Sequence, residues 1–169
     1  MTDKATKFYW KKNKLWNDLE IYCDIFPLPY ARPRVSRKLN GKLYNPRSSY
    51  IKQLRALIKQ TLEEKYPDFN ISEGEIQIEA TFYIASPKYI TNSKLKSELA
   101  GECLLNPITR PDLDNLLKSV LDAMNGLIYK DDSQIAKLTA YKHYSEANDD
   151  AKPGIQLIVK YIEQPLKMK

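Results

Sequence analysis

Histidine occurs once and cysteine only twice in this 169-residue chain, and those shortages remove several chemistries at the outset. Cys23 and Cys103 stand far apart, with no Cys-x-x-Cys pair and no neighbouring histidine, so neither a zinc site nor a disulfide framework is supported. His143 lies in an alternating strand pattern away from any serine or cysteine signature, which leaves histidine-based nucleophilic catalysis without its parts. Cys23 reads as a small buried side chain, and the unpaired thiols fit a reducing compartment. No apolar run approaches membrane-spanning length, and the first twelve residues are charged and aromatic, unlike a secretory signal. The expectation is a soluble, cytoplasmic protein without a membrane partner.

Acidic residues are missing altogether from Ile25 to Leu62, while Arg32, Arg34, Arg37, Lys38, Lys42, Arg47, Lys52, Arg55 and Lys59 lie within it. Those nine positive charges exceed the net charge of the whole chain, +6, and the pI is about 9.1. Pro29, Pro33 and Pro46 interrupt the segment and Tyr30 and Tyr44 interleave with it, which excludes an amphipathic membrane helix of the usual kind. It reads as an arm that grips a polyanion backbone, with Arg32, Arg34, Arg37, Lys38, Lys42 and Arg47 as candidate DNA contacts. The plainer alternative is a solvated basic loop.

A 43% hydrophobic share is enough for one core of ordinary size, and no internal repeat or low-complexity tract is visible. Residues 1–18, with five lysines, two tryptophans and no period, read as an N-terminal appendage to a domain spanning 19–169. Leu19, Ile21, Cys23 and Ile25 alternate with polar or aromatic neighbours and predict a strand ending at Pro27. Asn45-Pro46 predicts a helix start, with Asn as cap and Pro at the first helical position, and apolar residues at helical spacing carry it to about Lys65. Ile76 to Ile84 predicts the clearest strand, and Ser86 to Arg110 a long loop with one helical turn around Ser93 to Leu99. A second helix over Asn115 to Met124, closed by Asn125-Gly126, is followed by strands at about Ile135 to Tyr144 and Gly154 to Ile162. The order strand-helix-strand-helix-strand-strand predicts a single α+β domain with one mixed β-sheet and helices packed on it.

Chemistry concentrates in one stretch: Asp112-Leu-Asp-Asn-Leu-Leu-Lys118, then Asp122, then Asp131-Asp132. Carboxylates repel at such spacing unless a proton, a lysine or a divalent cation sits among them. The apolar stripe Leu113, Leu116, Leu117, Val120, Leu121 and Met124 pins this helix to a core, leaving Asp114, Lys118 and Asp122 on one opposite face. Extended backbone over Pro111 to Leu113 turns Asp112 to the side of Asp114, which can then also cap the helix. Asp131-Asp132 lies in a turn before a strand, where a side chain can complete the site. An all-oxygen donor set of this kind suits Mg²⁺, with its remaining ligands drawn from water and substrate phosphates. Lys118 is placed to stabilise developing charge or assist proton transfer, or simply to offset the aspartates. An exposed Asp114–Lys118 pair is the structural alternative, worth only about 0.3 to 0.5 kcal/mol. Asp122 is ambiguous between this polar face and a hydrogen bond to the turn beyond the helix.

The run Arg110-Pro-Asp-Leu-Asp-Asn-Leu-Leu-Lys-Ser-Val-Leu-Asp-Ala-Met-Asn-Gly126, followed by Tyr129-Lys-Asp-Asp-Ser-Gln-Ile135, closely resembles the RusA family of Holliday junction resolvases. The resemblance extends more loosely over residues 20–163. It implies a homodimer that binds branched DNA, specifically four-way junctions, and cuts two opposed strands symmetrically with Mg²⁺, for which Mn²⁺ would substitute. It further implies that Asp112, Asp114 and Asp132 are the metal-binding carboxylates and Lys118 the catalytic lysine, with Asp131 the alternative to Asp132. Members occur in bacteria, phages and prophages. Two rivals stand beside this reading: a DNA-binding protein of the same fold without nuclease activity, and a Mg²⁺-dependent phosphatase or nucleotide-sugar enzyme.

Overall fold

Strands form here where apolar residues recur every second position, and helices where they recur every three or four. The computed structural model describes residues 16–35, 41–85, 106–145 and 152–163. Its elements are β1 (Asn17–Cys23), β2 (Arg34–Val35), β3 (Leu43–Tyr44), α1 (Ser48–Lys65), β4 (Ile76–Ile84), α2 (Leu113–Met124), β5 (Ile135–Tyr144) and β6 (Gly154–Tyr161), with one 3₁₀ turn at Asp132–Gln134. This is the expected α+β domain with a mixed sheet and two packed helices. The helical turn expected near Ser93 to Leu99, the appendage through residue 15, and Cys103 lie outside the described residues.

The main sheet has the order β1-β6-β4-β5. β6 pairs antiparallel with both β1 and β4, whereas β4 and β5 are parallel and are joined through α2. A parallel pair needs such a crossover, because a tight turn cannot return the chain in the same direction. Leu19, Ile21, Cys23, Ile76, Ile78, Ala80, Phe82, Ile155, Leu157 and Val159 project from one sheet face into the core. Tyr50, Leu54, Ile58 and Leu62 of α1 and Leu116, Val120, Ala123 and Met124 of α2 meet them there. The opposite face carries Glu20, Tyr22, Gln77, Glu79, Thr139 and Lys160, a polar surface typical of a sheet covered on one side.

Both outer edges are blunted by side chains. The Tyr66 hydroxyl accepts from the Glu20 amide (2.9 Å) and donates to the Glu20 carbonyl (3.3 Å), occupying the free edge of β1. On β5, Lys142 Nζ donates to the Thr109 carbonyl while Nδ1 of His143 pairs with Asn106 Oδ1 at 2.8 Å. Successive strand residues face opposite ways, so residues 106–111 wrap across that edge, a common way of blocking strand addition.

Three local expectations are corrected. Helix α1 begins at Ser48, because Asn45 closes a turn of its own: its Oδ1 accepts from the Arg47 amide at 2.8 Å and its carbonyl from the Ser48 amide at 3.1 Å. Helix α2 begins at Leu113, two residues earlier than expected, so Asp114 sits in its first turn and Asp112 occupies the cap position. Strand β1 spans Asn17–Cys23, so the sheet takes up Asn17 and Asp18 as well, and the strand stops short of Ile25 and Pro27. The basic arm also contains the short β2–β3 ribbon, whose two-residue strands are too brief to leave any period.

Candidate active site

Helix α2 presents the acidic segment, and its lead-in is held from below. Asp112 is extended (φ −70°, ψ 139°), and its side chain makes no capping bond while its carbonyl accepts from the Leu116 amide at 3.1 Å. Lys142 Nζ reaches the carbonyls of Thr109 (2.8 Å) and Pro111 (3.0 Å), so one ammonium clamps the chain just before Asp112. The Asp112 carboxylate is exposed, with no hydrogen-bond partner among the described residues, on backbone that is tied down.

One turn on, Lys118 Nζ lies 3.8 Å from Asp114 Oδ2, with the two side chains 59% and 67% exposed. Screening makes such a pair a negligible contribution to stability. Its value is positional: a cation stands beside a carboxylate on a helix whose other face is buried. The basic arm runs directly over this turn, since the Tyr30 amide donates to the Asn115 carbonyl at 2.7 Å and the Leu28 amide to the Tyr50 hydroxyl at 3.1 Å.

The far end of α2 is fastened by Arg55 of α1. Its guanidinium donates to the carbonyls of Ala123 (3.0 Å), Asn125 (2.5 Å) and Gly126 (3.1 Å), a cation set where the helix dipole is negative. Gly126 takes a left-handed φ of 65° to turn the chain out of the helix, as a residue beyond a helix C-cap commonly does. Asn125 then donates from Nδ2 to Asp132 Oδ1 at 3.1 Å.

The turn bearing the two adjacent aspartates is organised by Gln134. Its Oε1 accepts from the amides of Lys130 (2.7 Å) and Asp131 (3.0 Å), and its Nε2 donates to the carbonyls of Ser72 and Gly74, both at 2.9 Å. Asp131 completes a capping box by accepting from the Ser133 amide at 2.8 Å; the Ser133 side chain, and then that amide bond, hold its carboxyl below the usual range. The two neighbours have different partners: Asp131 Oδ1 serves the turn, whereas Asp132 Oδ1 accepts from Asn125 at the end of α2. Desolvation, and then the charge of Asp132, push Asp122 above the usual carboxylate value. Burial, and then the same aspartate, push up the Tyr129 phenol, whose hydroxyl donates to the Leu121 carbonyl at 3.1 Å.

The carboxylates consequently fall into two groups along one ridge. Asp112 and Asp114 stand at the start of α2, with Asp122 and Asp132 two turns further on, about 12 Å for the eight helical residues between Asp114 and Asp122. Among the described residues, no three acidic, histidine or cysteine side chains converge closely enough to hold a metal ion. The donor set nevertheless has the character a hard divalent cation needs, all oxygen and with uncompensated negative charge between Asp122 and Asp132. Of the basic candidates, Arg32, Arg34 and Lys42 are exposed and Arg47 is half-buried at the start of α1. Arg37 and Lys38 lie outside the described residues.

Sequence reasoning missed Arg55, Asn125, Gln134 and Lys142 as positioning groups. Asp131-x-x-Gln134 has capping-box spacing and was there to be read. Lys142 left no local signal, because its partners lie over thirty residues away.

An α+β domain with a ridge of carboxylates beside a cationic arm has the make-up required for phosphodiester chemistry on a polyanion. The family model Endodeoxyribonuclease RusA matches residues 24–157, and the chain belongs to that family. It is also similar to a protein of Bacillus subtilis (strain 168) named Uncharacterized protein YqaN, with 39% identity over 139 residues, spanning 80% of this chain and 91% of that one. Among the described residues, no helix is long and apolar enough to cross a membrane.

Proposed function

We propose that this protein is a Mg²⁺-dependent, structure-selective endodeoxyribonuclease that resolves four-way DNA junctions by paired, symmetric hydrolysis, acting as a cytoplasmic homodimer in recombination and repair. The observation that carries this reading is the placing of the basic arm over the first turn of α2, beside the exposed Asp112 carboxylate and the Asp114–Lys118 pair. Family membership supports the same activity.

Asp112 and Asp114 at the start of α2 and Asp132 at its far end would hold the cation, Mg²⁺ or in its place Mn²⁺, once the two groups of the ridge draw together on it, with Asp131 the alternative to Asp132. When bound, the ion supplies Lewis-acid activation for the hydrolysis. Asn125 and Arg55 orient the Asp132 turn, and Lys142 orients Asp112. Lys118 offers positive charge where the phosphate gains negative charge in the transition state. Arg32, Arg34, Lys42 and Arg47, together with Arg37 and Lys38, bind phosphates without regard to sequence, and selectivity rests on junction shape. Paired cuts need two sites, which a two-fold dimer would present symmetrically to the junction.

The test is cleavage of a mobile four-way junction and a matching linear duplex with Mg²⁺, wild type beside Asp114→Asn. Paired symmetric nicks in the junction alone, abolished by the substitution, are expected. Binding without cutting by the wild type would instead favour an architectural DNA-binding protein, and equal cutting of linear duplex would remove the junction from the activity. Turnover of small phosphate esters, without salt-sensitive junction binding, would favour a phosphatase.

A further inference from the structure

Two aliphatic side chains stand in water at one place where the fold gains nothing from them. Val35 of β2 and Leu43 of β3 are 65% and 70% exposed and are direct partners across the ribbon. Opposed residues of an antiparallel pair hold their Cβ atoms about 4.5–5.5 Å apart, so the two form one continuous apolar patch. A single exposed aliphatic residue is ordinary; an opposed pair on a ribbon apart from the main sheet is not. The ribbon's other face pairs Arg34 with Tyr44, and Lys42 adjoins it.

We propose that the β2–β3 ribbon is a wedge that enters the branch point of junction DNA, seating the Val35–Leu43 patch against bases unstacked there while Arg34 and Lys42 hold the flanking phosphates. This rests on the reading that branched DNA is the substrate, and it names the element that senses the branch. The surrounding charge selects the occupant. Residues 25–62 contain no acidic group, so the ribbon's surroundings attract a polyanion. A second copy's ribbon would bring like charges against like. The ribbon is also rooted at the candidate site: Tyr30, four residues before β2, is bonded to Asn115 in the first turn of α2, and Asn45 directly follows β3. Apolar side chains inserted between base steps must unstack them. At a branch point, stacking between arms is already interrupted, so the same wedge enters there more readily than in continuous duplex, which selects shape without reading sequence.

The experiment places 2-aminopurine at the branch point of a four-way junction and at the same sequence position in a linear duplex. Binding is measured in EDTA with wild type and the Val35→Ser/Leu43→Ser double variant. Both side chains are exposed, so the melting curve should be retained. Wild type is expected to raise the junction fluorescence but not that of the duplex. In the double variant that rise should vanish and junction affinity should fall about tenfold, with duplex affinity held within about twofold. Restoring bulk with Val35→Ile/Leu43→Met should restore the signal. If wild type binds the junction and the double variant gives the same fluorescence and affinity, the wedge is wrong while the junction reading stands. Equal loss on the duplex would also overturn it. So would a shift of the DNA-free double variant to a smaller species in sedimentation, which would assign the patch to contact between copies. Wild type with no preference for the junction at all would sink the substrate reading itself.

Discussion

Replacing Arg55 with methionine tests how the candidate site is held. The side chain is half-buried between α1 and the end of α2, where it serves three carbonyls at 2.5 to 3.1 Å. Hydrogen bonds from a charged donor contribute about 1.5–3 kcal/mol when one partner is deleted, and a cation at a helix C-terminus adds about 0.3–1 kcal/mol. The three bonds share one donor group and do not add, so Arg55→Met is expected to destabilise by about 2–4 kcal/mol. For a chain of this size, that lowers the melting temperature by roughly 5–15 °C. Arg55→Lys keeps the charge but loses the fork, and should recover about half of the loss. Gly126→Ala provides a control in the same turn. Its added Cβ would meet Arg55 Nη2 at an ordinary 3.8 Å, so its cost is that of the left-handed backbone, about 1 kcal/mol. Paired thermal and urea melts measure all three. An Arg55→Met protein that melts within about 2 °C of wild type would refute the argument that this guanidinium fastens the end of α2.

Asp132→Asn should abolish cleavage yet stabilise the metal-free protein by about 0.5–1 kcal/mol at neutral pH, by removing repulsion of Asp122 across solvent. The sign with pH is definite. Because folding raises the Asp122 value, its favourable contribution is present below the ordinary carboxylate range and is lost as pH rises through the raised value, so wild type and variant should converge in acid. Melts in EDTA from pH 3 to 8 measure this, and a variant less stable throughout would contradict it. Lys142→Met should slow junction cleavage about 10- to 100-fold at unchanged junction affinity, with Lys142→Arg partly restoring the rate; a matching fall in affinity would show that the lysine binds DNA instead. Burial pushes the Cys23 thiol up to about 12, so it should resist alkylation at pH 8 until the protein unfolds. Peptide mapping that finds Cys23 modified in the native protein would contradict its burial.

Much of what depends on neighbours in the chain was legible in the sequence. Alternation at 76–84 and helical spacing at 50–62 marked β4 and α1, because a strand or helix needs only its own residues to expose an apolar face. The acidic segment and the acid-free arm were equally plain, since charge density is a local property. The long-range arrangement belongs to the tertiary structure: the order β1-β6-β4-β5, the parallel β4–β5 pair, and Tyr30 bonded to the first turn of α2. Asp131 and Asp132 are the same residue type side by side, and only the tertiary structure gives them different partners, the Ser133 amide and the Asn125 side chain. Arg55 and Lys142 looked like two more surface cations. Each proved to hold carbonyls far away in sequence, and hydrogen bonds between distant segments impose no period or spacing on the residues that make them.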